Sequence, residues 1–203
     1  MDHAVALVQA YLHINGYFTV TEYQVLEALS EGGYKTATDI DLLALRLPHA
    51  GGLRPIRDEE IDEGFEPDPV LETQDKRLDL LIVEVKEGTA ELNPGVRSRE
   101  VLAAVLRRWG FCTEAHLSKA IDRLRRKGSV DIPSGPRIRM LAFGSVIDPQ
   151  KVRGVKAVSL GHVISYLRGY IEEHWDLLRH AQVKQPALGL LALLEQASQR
   201  DTD

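Results

Sequence analysis

Hydrophobic positions recur along this chain in two rhythms. Over residues 4–14, AVALVQAYLHI, apolar side chains fall three and four apart, which predicts an amphipathic helix stopped by Asn15-Gly16. The next run, YFTVTEYQVLEAL, is rich in β-branched and aromatic residues and predicts a strand, bent near Glu22. SEGGYKTA reads as a turn and TDIDLLALRLP as a second strand closed by Pro48, so the two strands pair most naturally as an antiparallel hairpin. Residues 49–79 break both rhythms. They are polar, acidic and rich in Gly and Pro, too long for a tight connection, and read as a partly mobile loop or an insertion.

Regular patterning resumes with LLIVEVKEG, residues 80–88, an apolar run that reads as a buried strand. ELNPG turns the chain into an amphipathic helix over residues 96–109. A second helix runs from a Thr113 cap to about Lys127, with Leu117, Ala120, Ile121 and Leu124 on one face. RIRMLAFGS alternates as a strand, and residues 156–159 suggest another short one. Residues 161–181 form a long helix, and Pro186 opens a last helix ending near Gln199. The expected fold is therefore α/β. Residues 1–160 form a core of sheet and helices with an acidic insertion at about 49–79, and residues 161–203 add a helical extension packed on it.

Composition narrows the class. A chain of 203 residues suffices for one sizeable core, and 44% hydrophobic with 27% charged residues is ordinary for a soluble globular protein. The one cysteine, Cys112, excludes an intrachain disulfide and a multi-cysteine zinc site, and suits a reducing compartment. No signal-peptide pattern and no membrane-length apolar run occurs, so a soluble cytoplasmic protein without a membrane partner is expected. The net charge of −5 conceals a basic middle. Residues 97–156 carry 14 Lys and Arg against 5 Asp and Glu, while the rest carries 11 against 25. That asymmetry hints at a polyanionic partner, and a set of solvated helix faces explains it equally well.

Chemistry enters through the third strand. Residues two apart share one face, so Ile82, Glu84 and Lys86 point together, as do Asp39, Asp41 and Leu43 in the second strand. In neighbouring strands Asp41 and Glu84 converge beside Lys86. Two such carboxylates repel unless a cation lies between them, and a hard divalent ion takes oxygen ligands of this kind. A strand emerging into solvent with a same-face charge pair accounts for Glu84 and Lys86 alone, though not for the second acid upstream.

TDIDLLAL followed by LIVEVKEG resembles the core of the PD-(D/E)xK nuclease superfamily, the restriction-endonuclease-like fold. Asp41 matches the family aspartate, Glu84 the second acid and Lys86 the lysine, and Asp41-Leu42-Leu43-Ala44 is similar to the pattern of Holliday-junction-resolvase-type members. The resemblance covers about residues 1–145. It implies a central mixed sheet flanked by helices and Mg²⁺- or Mn²⁺-dependent hydrolysis of nucleic acid, DNA foremost. It also implies Asp41, Glu84 and the Val85 carbonyl as metal ligands. Ile40 stands where the motif has proline. The first helix offers only Asp2 and Gln9 where many members have glutamate, and Glu22 or Glu27 are further candidates for that acid.

A second function class stays open. Lys119, Arg123 and Arg126 lie at i, i+4 and i+7 opposite the apolar stripe of their helix, and with SVDIPSGPRIRML they resemble a winged-helix DNA-binding unit. A non-catalytic nucleic-acid-binding or scaffold protein would use the same residues. The tail segment ALGLLALLEQASQ reads as a helix closing the core, with a partner or homodimer face as the alternative. No histidine spacing suits zinc, and no phosphate-binding glycine loop is present.

Overall fold

The structure, a computed structural model, describes residues 2–52, 66–110, 112–181 and 183–200. Helix α1 (His3–Ile14) opens the chain and is capped by Asp2, whose carboxylate accepts from the Ala4 amide at 2.8 Å. It ends where Gly16 takes φ +82, a left-handed conformation that suits glycine. Strands β1 (Tyr17–Ala28) and β2 (Tyr34–Arg46) form the hairpin, and β3 (Asp79–Thr89) pairs antiparallel with β2. Helices α2 (Arg99–Trp109) and α3 (Glu114–Lys127) follow. Short β4 (Ser129–Asp131) leads to β5 (Arg137–Val146), which runs parallel to β3. Strand β6 (Lys156–Ser159) pairs parallel with β5, and α4 (Leu160–Glu173), α5 (Trp175–Leu178) and α6 (Pro186–Arg200) complete the chain.

The six strands make one mixed sheet in the order β1-β2-β3-β5-β4, with β6 beside the far half of β5. Helices cover both faces. Leu42, Ala44, Leu81, Val83, Leu141 and Phe143 pack under α1, α4 and α6, while Leu43, Leu80, Ile82, Met140 and Ala142 pack under α2 and α3. The apolar run of β3 reflects burial on both sides, as expected for a strand with a parallel neighbour. Leu188 at the start of α6 is buried in the α1–α4 cluster, so the tail helix closes the protein's own core along that edge. Leu190, Leu193 and Leu194 remain exposed. Among the described residues, no helix is long and apolar enough to cross a membrane.

Two expectations of local detail are corrected. Thr113 occupies the cap position of α3 but makes no capping bond; its hydroxyl pairs with His116 Nδ1 at 2.9 Å. Of the acidic stretch, residues 53–65 lie outside the described residues, and the remainder does not read as loose. Leu71 is fully buried after a single 3-10 turn, Pro69–Leu71. Asp68 accepts from the Tyr11 hydroxyl at 2.7 Å and pairs with His162 at 2.6 Å. The segment carries an apolar anchor and a partnered carboxylate back into the core, which a count of its polar residues does not show.

At the start of β3 the sheet holds a buried ionic knot. Arg139 on β5 donates to both oxygens of Asp79, with its Nε at 3.0 Å from Oδ1. Arg139 Nη1 donates to the Leu71 carbonyl at 2.6 Å, and the Tyr17 hydroxyl donates to Asp79 Oδ2 at 2.6 Å. Burial, and then the Asp79 charge, raise the Tyr17 pKa and keep the phenol protonated as that donor. At the other end of the same strand, a Cβ added to Gly144 would meet the Ala90 amide nitrogen at 2.4 Å. Only glycine lets the chain leaving β3 cross β5 this closely, and this crossing sits opposite Lys86 in the register.

Candidate active site

The ladder between β2 and β3 runs from Arg46–Asp79 to Leu42–Val83 and then stops. One residue further, Asp41 does not continue it. Ile40 packs with the α2–α3 side while Leu42 packs with the α1–α4 side, so strict alternation breaks at Asp41. Across the hairpin, Glu22 takes φ +53 between the pairs Thr21–Leu42 and Tyr23–Ile40. The bend expected near Glu22 is thus shared by both strands. Its consequence is local: Asp41 Oδ2 accepts from the Val85 amide at 2.7 Å, doing in side-chain form what the β2 backbone does lower in the ladder. Asp39, grouped with Asp41 by simple alternation, is exposed and away from this contact.

Glu84 and Lys86 complete the cluster. Lys86 Nζ lies 3.4 Å from Glu84 Oε2 and 3.9 Å from Asp41 Oδ2, bridging the two carboxylates. The three differ sharply in exposure. Glu84 is 1% exposed, Asp41 26% and Lys86 36%, so a buried acid lies beneath a pair open to solvent. Among the described residues, Glu84 Oε1 is buried with no hydrogen-bond partner. Burial foremost, then the Asp41 charge, pushes the Glu84 carboxyl from an ordinary 4.5 up to about 7, against the pull of Lys86 and of the Asn93 backbone. Val85 is buried, with its amide turned toward β2. In an extended strand the carbonyl of a residue faces the same side as its amide, so that of Val85 also faces Asp41.

The turn above the site is part of it. Asn93 contacts Glu84 through its backbone and Thr38 through its side-chain amide at 3.4 Å. It also starts the 3-10 turn Pro94–Arg97 by accepting from Gly95 at 3.0 Å. Asn93 was not singled out by sequence; the NPG turn signal marks a loop without saying what it covers. Of the candidates for a further acid, Glu22 lies across the hairpin from Asp41, and the other three lie elsewhere. Asp2 caps α1, Gln9 donates to Thr19 at 3.1 Å, and Glu27 pairs with Lys35 at 3.2 Å. Among the described residues, no group of three or more His, Cys, Asp or Glu is arranged to hold a metal. A two-carboxylate site completed by a carbonyl lies outside that pattern.

Lys119, Arg123 and Arg126 are exposed on α3. Arg126 joins a groove with Arg97, Asp122 and Arg125. The segment after α3 is not a free wing, because β5 is an interior strand between β3 and β4. Cys112 is buried, and its thiol is held above the usual range by burial and by Glu114, which suits a structural role rather than a nucleophilic one.

The pH dependence of Glu84 is open to measurement. Its folded pKa is raised, so the stability it contributes is full below about pH 4.5 and lost as pH climbs toward 7. At pH 8 the ionised carboxylate should cost about 3 kcal/mol. Glu84→Gln, which keeps the neutral shape, is expected to unfold at higher urea than the wild type at pH 8 and at similar urea near pH 4.5. A difference that does not vary with pH would contradict the assignment.

Comparison of the chain with family models, with curated proteins and with solved structures found no match.

Proposed function

We propose that this protein is a divalent-metal-dependent phosphodiesterase acting on nucleic acid, DNA foremost, on a restriction-endonuclease-like core. Support for that core comes from the order of elements: a helix, an antiparallel three-strand meander, a helical crossover, and a strand parallel to the third. Asp41 lies on the second strand and Glu84-x-Lys86 on the third, the positions the sequence resemblance implies.

The observation that carries the reading is the unpartnered, buried Glu84 Oε1 within a cluster of two carboxylates and one ammonium. A buried polar atom with no partner is costly, and Lys86 reaches Glu84 through Oε2, which leaves Oε1 open to a second cation. These residues fit Mg²⁺ or Mn²⁺: Asp41, Glu84 and the Val85 carbonyl would hold the ion, with waters and phosphate oxygens filling the remaining positions. The ion would supply a Lewis acid and a bound water of lowered pKa.

The chain's own residues do the rest. Lys86 places its ammonium between the carboxylates at the open side of the site, where it can orient the attacking water and offset charge building on the phosphate. Water oxygen bonds to phosphorus, the bond from phosphorus to the leaving oxygen breaks, and the water proton ends on solvent or the leaving oxygen. Asp41 is fixed in turn by the Val85 amide, which ties the second acid to the strand that carries Glu84 and Lys86.

The test is cleavage of plasmid DNA and of labelled single-stranded DNA and RNA. Nicking or shortening is expected with Mg²⁺ or Mn²⁺, none with EDTA, and none for Asp41→Asn under any condition. Cleavage unaffected by EDTA, or retained by Asp41→Asn, would remove this reading. Binding without cleavage would favour the non-catalytic alternative.

A further inference from the structure

The basic middle of the chain divides into paired and unpaired cations. Arg107 is held by Glu114, Lys151 by Glu91, Lys156 by Glu72 and Arg99 by Asp122. Arg97, Arg125 and Arg126 are among the unpaired ones, and it is the groove they share that sets them apart. They face one open groove of about 610 Å³, and among the described residues no carboxylate lies within ion-pairing distance of any of them. Among the described residues, Arg97 and Arg126 donate to backbone carbonyls, of Arg153 at 3.3 Å and Asp122 at 3.2 Å, which do not offset their charge. The fourth lining residue, Asp122, already has its carboxylate on Arg99. Three like charges around one cavity repel unless an anion joins them.

The groove is joined to the catalytic cluster by a short piece of chain. Asn93 contacts Glu84, and Arg97 ends the 3-10 turn that Asn93 caps. At about 2 Å of rise per residue, Arg97 lies about 8 Å along that turn from Asn93. Phosphates of one strand advance about 3.4 Å each along a duplex axis, so this is a span of about two or three phosphates. We infer that this groove holds the sugar–phosphate backbone of the polynucleotide on one side of the scissile bond, with Arg97, Arg125 and Arg126 each meeting a phosphate. The inference rests on the phosphodiesterase reading and names the substrate track of that same site. It replaces two of the three cations chosen from helical spacing, Lys119 and Arg123, with two that the fold gathers from different elements.

Binding measured apart from cleavage tests it. Fluorescein-labelled DNA and RNA oligonucleotides, single- and double-stranded, are titrated with the full chain in EDTA, and anisotropy is followed between 50 and 300 mM salt, roughly the range over which counterion release is resolved. Each lost phosphate contact should weaken binding about fivefold near 0.15 M salt and lower the salt slope by about one. Arg97→Ala with Arg125→Ala and Arg126→Ala is therefore expected to raise Kd about 100-fold and flatten the slope by about three. Arg107→Ala, an equal loss of charge per residue outside the groove, should stay within about twofold. If the wild type binds and the triple variant binds as well as it does, the groove is not the track, while the catalytic reading stands. If the wild type binds no oligonucleotide, the track falls, and the catalytic reading is decided by the cleavage assay. Groove-dependent binding with no metal-dependent cleavage would keep the track and remove the chemistry.

Discussion

Lys86→Ala is expected to lower metal-dependent cleavage by about 10³-fold or more while leaving the fold intact. An ammonium aimed at charge developing in the transition state is worth a factor of about 10²–10³. Assistance to proton transfer from the attacking water is worth a similar or larger factor. Lys86 is partly exposed and lies at the far end of β3, beyond the double-buried part of the strand, so truncation removes little packing. Its loss does remove the cation that bridges Glu84 and Asp41 in the metal-free protein. Two effects should therefore appear together: cleavage collapses, and the metal-free variant loses stability above neutral pH, where both carboxylates are ionised. Oligonucleotide binding in EDTA should change far less than it does on loss of the groove arginines. Single-turnover cleavage and urea unfolding at pH 6 and pH 8 measure these effects. A variant that cleaves within tenfold of the wild type would remove Lys86 from the mechanism.

The second large effect concerns stability alone. Asp79→Ala is expected to cost about 3–5 kcal/mol, because it leaves the Arg139 guanidinium buried without its carboxylate. Asp79 and Arg139 are only 3% and 4% exposed, and the Tyr17 hydroxyl loses its acceptor in the same step. The pair is not expected to be a net stabiliser against apolar residues of similar size. Asp79→Leu combined with Arg139→Met should recover most of the loss, since it removes both desolvation penalties together. A urea midpoint lowered by Asp79→Ala and restored in the double variant would show that the single loss reflects an orphaned charge. A single variant within 1 kcal/mol of the wild type would show that the knot is solvated and unimportant. The knot lies at the start of β3, five residues before Glu84, so cleavage by the folded fraction should change little.

These two ends of β3 differ in how far they could be read from sequence. The strand itself, the hairpin before it and the helices after it follow from local periodicity, which depends only on neighbouring residues. Asp41 and Glu84-x-Lys86 stood out because charge interrupts apolar runs there. Asp79 and Arg139 gave a weaker signal. Asp79 opens its strand and Arg139 alternates with Ile138 and Met140, both patterns that usually place a charge in solvent, and their partnership spans 60 positions of sequence. Tyr11, Asp68 and His162 escaped for the same reason, with Asp68 placed in a stretch whose acids read as solvated. Alternation also misplaced Asp39 beside Asp41, because it assumes an unbroken pleat and the hairpin bends at Glu22 and Asp41. The groove arginines come from a turn and a helix end, so helical spacing within α3 found Arg126 alone.

The proposed hold of Asp41 and Glu84 on one divalent ion can be seen in crystals of the protein soaked in Mn²⁺ and measured at the manganese absorption edge. The expected result is one strong anomalous peak within about 2.5 Å of oxygens from both Asp41 and Glu84, with Lys86 displaced from its bridging position. Full ion occupancy elsewhere, or an empty site with Lys86 still between the two carboxylates at saturating Mn²⁺, would contradict it.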